Sequence, residues 1–152
     1  MKLSEFDFRI YDKENKTYFK SLDYLCIGKD TSNNNLVVLN VAEDQSGYDI
    51  LCDNPDSCEI ELFTEYHDKN GNKIYEGDII KYTYVFKHSL LDQNIIKKLP
   101  RRESIGYILK ANFFGFGIAD NLGQIQCFMK DCINLKVIGN IHENGELLIN
   151  KD

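Results

Sequence analysis

A stretch of fifteen residues in the middle of the chain, DKNGNKIYEGDIIKY (68–82), concentrates the side chains whose types and spacing could do chemistry. Its oxygen-bearing side chains are Asp68, Asn70, Asn72, Glu76 and Asp78. Carboxylate and amide oxygens are ligands that Ca²⁺ prefers, and an EF-hand-type loop also needs a Gly at its sixth position and a Glu at its twelfth. Counted from Asp68, these positions hold Lys73 and Ile79. The sequence therefore does not predict a calcium loop.

The same stretch favours a structural corner between two strands. Asn70–Gly71 is a strong hairpin signal, because residues of these types accept positive φ angles, and it predicts a type I′ or a bulged turn. Gly77 can adopt a backbone conformation that is costly for other residues, and Asp78 can accept hydrogen bonds from the turn backbone. Glu76 and Asp78 would alternatively form a carboxylate pair for acid–base chemistry. We weight the structural interpretation above the catalytic one.

Sequence patterns for other chemistries are incomplete or absent. GFGIAD (115–120) begins like a dinucleotide fingerprint, but it lies among strand patterns with no helix to follow. The chain contains no GxxxxGK[ST] and no GxSxG motif. Its five cysteines show no CxxC spacing and its three histidines are isolated, so we predict no metal and no cofactor. A Cys–His nucleophile pair that meets only in space stays an open alternative.

Length and composition predict one soluble domain, spanning 1–152. The chain has 43% hydrophobic and 28% charged residues, and its nine Tyr and nine Phe favour strands over helices. The odd number of cysteines and the absence of an apolar signal core at the N-terminus predict reduced thiols in a cytoplasm. No apolar run approaches the roughly 20 residues that a membrane-spanning helix needs, so we predict no membrane association.

Alternating and continuous apolar runs predict a mainly β fold. The predicted strands lie at 6–12, 17–19, 36–41, 59–66, 78–86, 104–110, 114–120, 123–129 and 135–141. Residues 42–58 are acidic and are predicted to be irregular. About eight short strands separated by Gly, Asn and Asp turns are typical of a small barrel, in which closure removes exposed edges.

One segment has helical periodicity instead. In HSLLDQNIIKKLP (88–100), Leu91, Ile95 and Leu99 recur at every fourth position and form one apolar stripe. Pro100 ends the pattern. We therefore predict a short amphipathic helix at about 89–99, inserted between two strands.

Charge is distributed unevenly along the chain. Residues 1–66 carry 6 basic and 14 acidic side chains, whereas residues 81–110 carry 7 basic and 2 acidic ones. A basic cluster consists of Lys97, Lys98, Arg101 and Arg102. With the aromatic residues Tyr82, Tyr84, Phe86 and Tyr107, this cluster could contact phosphates and stack on bases. The interpretation that we favour is a solvated face, or one that docks against the acidic first half of the same chain or of a second copy.

Three blocks, FDFRIYDKENKTYF, TEYHDKNGNKIYEGDIIKY and KVIGNIHENGELL, resemble in their order the YopX family of phage and prophage proteins. The shared motif falls on Asp68, Asn70, Gly71, Ile74, Tyr75, Glu76, Gly77, Asp78, Ile138, Gly139, Asn140, Glu143 and Asn144. The resemblance implies a small SH3-like pseudo-barrel, encoded by a mobile element and expressed in the cytoplasm of a bacterial host. It supplies no catalytic residues. Residues 87–103 look like an insertion relative to shorter members.

Three functional hypotheses follow. The first is a non-enzymatic binding module for a host or phage protein, or for a second copy of the chain, because a pI near 5.1 favours a protein partner over nucleic acid. The second is a nucleic-acid-associated regulator that uses the basic segment 81–110. The third, which we rank last, is an enzyme built around Glu76, Asp78 and a histidine.

Overall fold

A computed structural model of the chain describes residues 6–19, 24–29, 31–32, 36–41, 47–52, 54, 56–85, 103–111 and 115–149. This part of the chain is mainly β, as predicted. No helix in these ranges is long and apolar enough to cross a membrane. The predicted helix at 89–99 lies outside the described residues, and so do Phe86, Lys97, Lys98, Arg101 and Arg102. The predicted SH3-like character stays a prediction.

Twelve strands occur in the described residues. In chain order they are β1 (Phe8–Asp12), β2 (Thr17–Tyr18), β3 (Tyr24–Lys29), β4 (Leu36–Val41), β5 (Tyr48–Cys52), β6 (Cys58–His67), β7 (Lys73–Tyr75), β8 (Asp78–Tyr84), β9 (Glu103–Lys110), β10 (Phe116–Ala119), β11 (Ile125–Phe128) and β12 (Cys132–Asn140). Two short 3₁₀ helices span Met129–Asp131 and Gly145–Leu148.

Three of these strands were not predicted, namely β3, β5 and β7. The prediction that 42–58 is irregular is wrong over Tyr48–Cys52, which pairs antiparallel with β4 and places Ile50 opposite Leu39. Their local signals are weak: Gly28 lies within β3, Asp49 lies within β5, and β7 has only three residues. Pairing with a neighbouring strand supplies the missing stabilisation.

The chain divides into two compact units, Phe8–Glu61 on the one hand and Met1–Asp7 with Leu62–Asp152 on the other. The first unit contains the hairpin β1–β2 and the antiparallel sheet β3-β4-β5. Its buried core consists of Ile10, Val38 and Cys52. The prediction of a single domain stays a prediction.

The second unit is built on a five-stranded antiparallel sheet with the order β11-β10-β9-β8-β12. The sheet curls into half of a barrel. Its inner face forms the core of Ile74, Ile80, Tyr82, Ile108, Ile118, Cys127, Met129, Cys132 and Leu135. Cross-strand partners such as Ile118 and Ile108 pack side by side, which is the usual unit of sheet stabilisation.

Candidate binding cleft and the motif corner

The DKNGN segment forms a three-residue hairpin turn. The backbone N–H of Asp68 donates to the carbonyl of Asn72 (2.8 Å), and that of Gly71 donates to the carbonyl of Asp68 (3.0 Å). Gly71 has a φ of 86°, whereas Asn70 is not among the residues with positive φ. Of the two predicted alternatives, the bulged turn is therefore correct, because a type I′ turn needs positive φ at both central residues.

The carboxylate of Asp68 organises this turn and ties it to β12. Its Oδ1 accepts from the backbone N–H groups of Asn70 (2.7 Å) and Asn72 (3.0 Å). Its Oδ2 accepts from the side-chain amide of Asn72 (3.2 Å) and from the N–H of Val137 (3.4 Å). Burial acts to raise the pKa of Asp68, but these hydrogen bonds to the charged form prevail and lower it.

Glu76, Gly77 and Asp78 form the other half of the corner. The Asp78 carboxylate is buried and accepts from the N–H of Tyr75 (2.8 Å), while Glu76 Oε1 accepts from the N–H of Lys110 (3.3 Å). Gly77 has a φ of 78°, and its N–H donates to the carbonyl of Ile108 (2.9 Å). Both carboxylates thus hold backbone amides, the geometry expected of a structural corner.

The C-terminal motif block lies against this corner. In the register of β8 and β12, Asn140 faces Asp78. The Asn140 side-chain oxygen accepts from the N–H of His142 (2.9 Å), and its backbone carbonyl accepts from the N–H of Asn144 (2.8 Å). A Cβ at Gly139 would lie 2.7 Å from Oδ1 of Asn144, so only glycine fits there. The structure therefore brings both motif blocks together.

A cleft of about 300 Å³ opens in the second unit, and its residues were not among the predicted site residues. It is lined by Phe63, Thr64, Glu65, Tyr66, Gly115, Phe116, Phe128 and Lys130. These residues come from β6, from β10 with the residue before it, and from β11 with the 3₁₀ helix after it. Among the described residues, no group of three or more His, Cys, Asp and Glu could hold a metal ion.

A bulge in β6 forms one wall of the cleft. In the pairing with β7, Phe63 faces Tyr75 and His67 faces Lys73, so β6 has two more residues than β7 between these pairs. Within the bulge, Glu65 has a φ of 68°, which is unfavourable for a residue with a Cβ. Strained backbone of this kind occurs preferentially at binding and active sites.

Thr64 holds the bulge in place. Its hydroxyl donates to the carbonyl of Ile74 (2.7 Å) and accepts from the N–H of Tyr66 (3.2 Å). Thr64 is only 4% exposed, whereas Tyr66 is 38% exposed. The buried hydroxyl therefore fixes the strained backbone while the neighbouring aromatic ring stays available at the surface.

Side-chain contacts fix the aromatic wall at Phe63. Its ring centroid lies 5.4 Å from that of His67 and 5.7 Å from that of Tyr75. The Lys73 ammonium lies 5.2 Å from the same ring centroid and also pairs with the carboxylate of Asp7 at 2.6 Å. The cleft can therefore hold an apolar side chain between rings that are already positioned, with Glu65 and Lys130 as charged groups in its lining.

In the described part of the basic segment 81–110, one lysine is already paired and one aromatic ring is buried, so fewer side chains are available to contact nucleic acid than the sequence suggested. Lys81 pairs with Glu103 at 2.5 Å and lowers the pKa of that carboxyl. Tyr82 is 5% exposed and belongs to the core, so its ring is not available for the base stacking that the alternative nucleic-acid interpretation gave it. Tyr84 is exposed and Tyr107 is half-buried.

Comparison with known families agrees with the motif. The family model described as "YopX protein" matches residues 7–149. The chain belongs to the YopX family. Its sequence resemblance to that family, carried by the corner and by the Gly139–Asn140 block, is thereby confirmed.

Two solved structures are similar to this YopX-family chain. Protein EF1440 from Enterococcus faecalis is 26% identical, with 94% of this chain and 97% of that chain covered and a TM-score of 0.51. Protein yopX from Bacillus subtilis is 15% identical, with 93% and 96% covered and a TM-score of 0.53, a likeness that shows the fold alone. No curated protein matches the chain.

Proposed function

We propose that this YopX-family protein is a non-enzymatic binding module and that its partner is another protein. The observation that carries the proposal is the aromatic cleft beside the strained bulge at Glu65. Aromatic residues are enriched at protein interfaces, and Tyr is among the commonest energetic hot spots.

The cleft has the chemistry to bind an apolar side chain of a partner. Phe63, Phe116 and Phe128 are half-buried, so their rings are fixed by the fold yet keep apolar surface exposed to water. Burying a Leu- or Phe-sized side chain between such rings contributes about 1.5–3 kcal/mol. Because the rings are ordered in advance, little conformational entropy is lost on binding.

Charge favours a protein partner over nucleic acid. The chain has a net charge of −6, whereas affinity for nucleic acid depends on cations that neutralise phosphates. Lys73 and Lys81, two cations of the described second unit, already pair with Asp7 and Glu103. As part of the same proposal, the protein acts in the cytoplasm of a bacterium that carries the phage.

A photo-crosslinking amino acid at position 66 tests this function in the bacterial host. Position 122 is the matched control, because Leu122 is a large apolar residue that is 76% exposed and does not line the cleft. We expect position 66 to yield a discrete crosslinked protein that position 122 does not yield. Equal products from both positions would contradict the proposal.

The affinity of the protein for the crosslinked partner gives a second test of the proposed function. We expect Tyr66→Ala to weaken binding at least tenfold, about 1.4 kcal/mol, and Leu122→Ala to leave it unchanged within about twofold. Crosslinks to nucleic acid instead of protein would favour the alternative, a nucleic-acid-associated regulator. In that case a gel shift would weaken with rising salt and would depend on Lys97, Lys98, Arg101 and Arg102.

A further inference from the structure

Two thiols meet at the short connection between the two edge strands of the curled sheet. Cys127 lies on β11 and Cys132 begins β12, the strands at opposite edges of the five-stranded sheet. The 3₁₀ helix Met129–Asp131 joins these two strands. The two Sγ atoms are 3.4 Å apart, and each residue is 9% exposed. The pair therefore spans this connection, which we call the seam of the half-barrel.

We propose that Cys127 and Cys132 form a reversible intrachain disulfide that closes this seam covalently. The sulfur atoms of a disulfide are about 2.05 Å apart, so the two Sγ atoms must approach by about 1.3 Å. Rotation about the two χ1 angles, together with a small movement of the short connecting segment, would bring the sulfur atoms to this distance. The proposal is independent of the partner of the aromatic cleft.

The surroundings assign different roles to the two thiols. The Cys132 sulfur lies within hydrogen-bond distance of the Cys127 sulfur (3.4 Å) and of the carbonyl oxygen of Phe128 (3.5 Å). The hydrogen bond from Cys132 lowers the pKa of Cys127, burial opposes this effect, and a hydrogen bond from Tyr82 adds to it. Burial raises the pKa of Tyr82, so its hydroxyl keeps the proton that it donates. Cys127 is therefore the attacking sulfur and Cys132 the resolving one.

Hydrogen peroxide is the oxidant that fits these buried thiols, because it is small and uncharged. The Cys127 thiolate attacks one peroxide oxygen and the O–O bond breaks, which leaves a sulfenic acid and a hydroxide that takes up a proton as water. The Cys132 sulfur then attacks the Cys127 sulfur, so the S–S bond forms, the S–O bond breaks and a second water leaves with the Cys132 proton. Two thiols and one peroxide thus give one disulfide and two waters.

The other close thiol pair, Cys52 and Cys58 in the first unit, is an internal comparison. Burial and the neighbouring Cys52 thiol raise the pKa of Cys58 to about 12, so Cys58 stays protonated and unreactive. The Cys52 sulfur lies 3.1 Å from the hydroxyl of Ser57 and 3.0 Å from the carbonyl of Asn54. We therefore expect the seam pair to oxidise first.

Peptide mapping of the folded full-length protein tests the proposal. Trypsin cleaves after Lys110, Lys130 and Lys136, so the two cysteines fall on separate peptides, 111–130 and 131–136. After treatment with hydrogen peroxide and alkylation under denaturing conditions, we expect these two peptides to appear joined and to separate on reduction with dithiothreitol. The oxidised protein should also unfold at a higher urea concentration than the reduced one.

Two cysteine variants, one expected to abolish the disulfide and one control, accompany the peptide mapping. Cys132→Ser should abolish the joined peptides, whereas Cys26→Ser, which removes an exposed thiol, should leave them unchanged. The proposal is overturned if the folded wild-type protein yields no joined peptides while Cys127 is oxidised to a sulfinic acid. The proposal is also overturned if the joined peptides appear only after the protein has been unfolded in urea. Because the peptide mapping of the wild-type protein does not depend on a variant, it tests the proposal even if Cys132→Ser fails to fold.

Discussion

At the scale of single residues, aspartate carboxylates act as acceptors that fix turns. Asp120 repeats the turn of Asp68: its Oδ1 accepts from the backbone N–H groups of Leu122 (2.9 Å) and Gln124 (3.0 Å). In both turns the glycine three residues after the Asp has positive φ, 86° in the first and 76° in the second. A D-x-x-G-x pattern therefore marks this turn, and the sequence contains that signal at both places.

We expect Asp68→Asn to lower the free energy of unfolding by about 1–3 kcal/mol. An amide keeps the size of the side chain, but only one of its two polar atoms can accept. With the NH₂ group in the place of Oδ2, the N–H of Val137 and the side-chain amide of Asn72 both lose their acceptor. Urea denaturation followed by circular dichroism measures the change.

Asp120→Asn is the matched control for this substitution. It removes the same charge from the same type of turn, but its hydrogen bonds are exposed to water, which replaces a lost acceptor at little cost. We expect a loss well below that of Asp68→Asn. An equal or larger loss at Asp120 would show that the burial of Asp68 contributes nothing.

The lowered pKa of Asp68 also predicts how stability depends on pH. A carboxyl whose pKa is lower in the folded protein than the unfolded value of about 3.9 stabilises the fold above that value. This stabilisation disappears as the pH falls through the folded pKa. We therefore expect wild-type stability to fall on acidification below about pH 4 more steeply than that of Asp68→Asn, measured by urea denaturation at a series of pH values. Parallel pH profiles of the wild-type protein and Asp68→Asn would contradict a lowered pKa of Asp68 in the folded state.

At the scale of elements, β9 and β10 of the five-stranded sheet approach each other closely at Gly106. A Cβ at this position would lie 2.6 Å from the carbonyl oxygen of Ala119 and 2.6 Å from Cγ2 of Ile118, both on β10. Glycine inside a strand typically marks such a bend or close approach. SIGYILK predicts a strand from its alternation, but the close approach to β10 appears only in the folded structure.

We expect Gly106→Ala to lower the free energy of unfolding by about 1–3 kcal/mol, because a methyl group there overpacks the inner face of the sheet. Thermal or urea denaturation measures the loss. Gly145→Ala is the control, since a Cβ there has no atom within 4 Å and the residue is not among those with positive φ. The steric constraint at Gly106 is contradicted if the two substitutions are equally tolerated.

At the scale of the whole molecule, the described residues form two cores. Ile10 is 2% exposed in the core of the unit 8–61, and Ile118 is fully buried in the core of the other unit. Composition and length predicted one domain for residues 1–152, and neither contains information on how strands group into sheets. The grouping depends on pairings between strands distant in sequence.

A matched pair of substitutions tests the two cores. Ile10→Ala and Ile118→Ala each remove the same atoms from a buried site, at a cost of about 2–5 kcal/mol. Hydrogen exchange followed by mass spectrometry of peptides measures the effect of each substitution. We expect each variant to lose protection of its amide hydrogens mainly in the unit that contains the substitution. Equal loss in both units from either substitution would show one cooperative core.

The sequence by itself determined the β class, the hairpin at Asn70–Gly71 and the YopX motif. These features depend on interactions within a few residues: alternation places side chains on one face of a strand, and a turn is closed by its own residues. The same local signals explain why β8 and β9 were predicted close to their observed bounds.

Only the tertiary structure decided the cleft and the thiol pair. Phe63, Phe116 and Phe128 stand in unrelated sequence contexts, and a bulge in β6 with the curl of the sheet brings them together. Cys127 and Cys132 have no recognisable motif spacing, and they meet because a 3₁₀ helix of three residues turns the chain between their strands and places both side chains in the same core. Sheet curvature is a collective result of long-range pairing and packing, so no window of the sequence contains it.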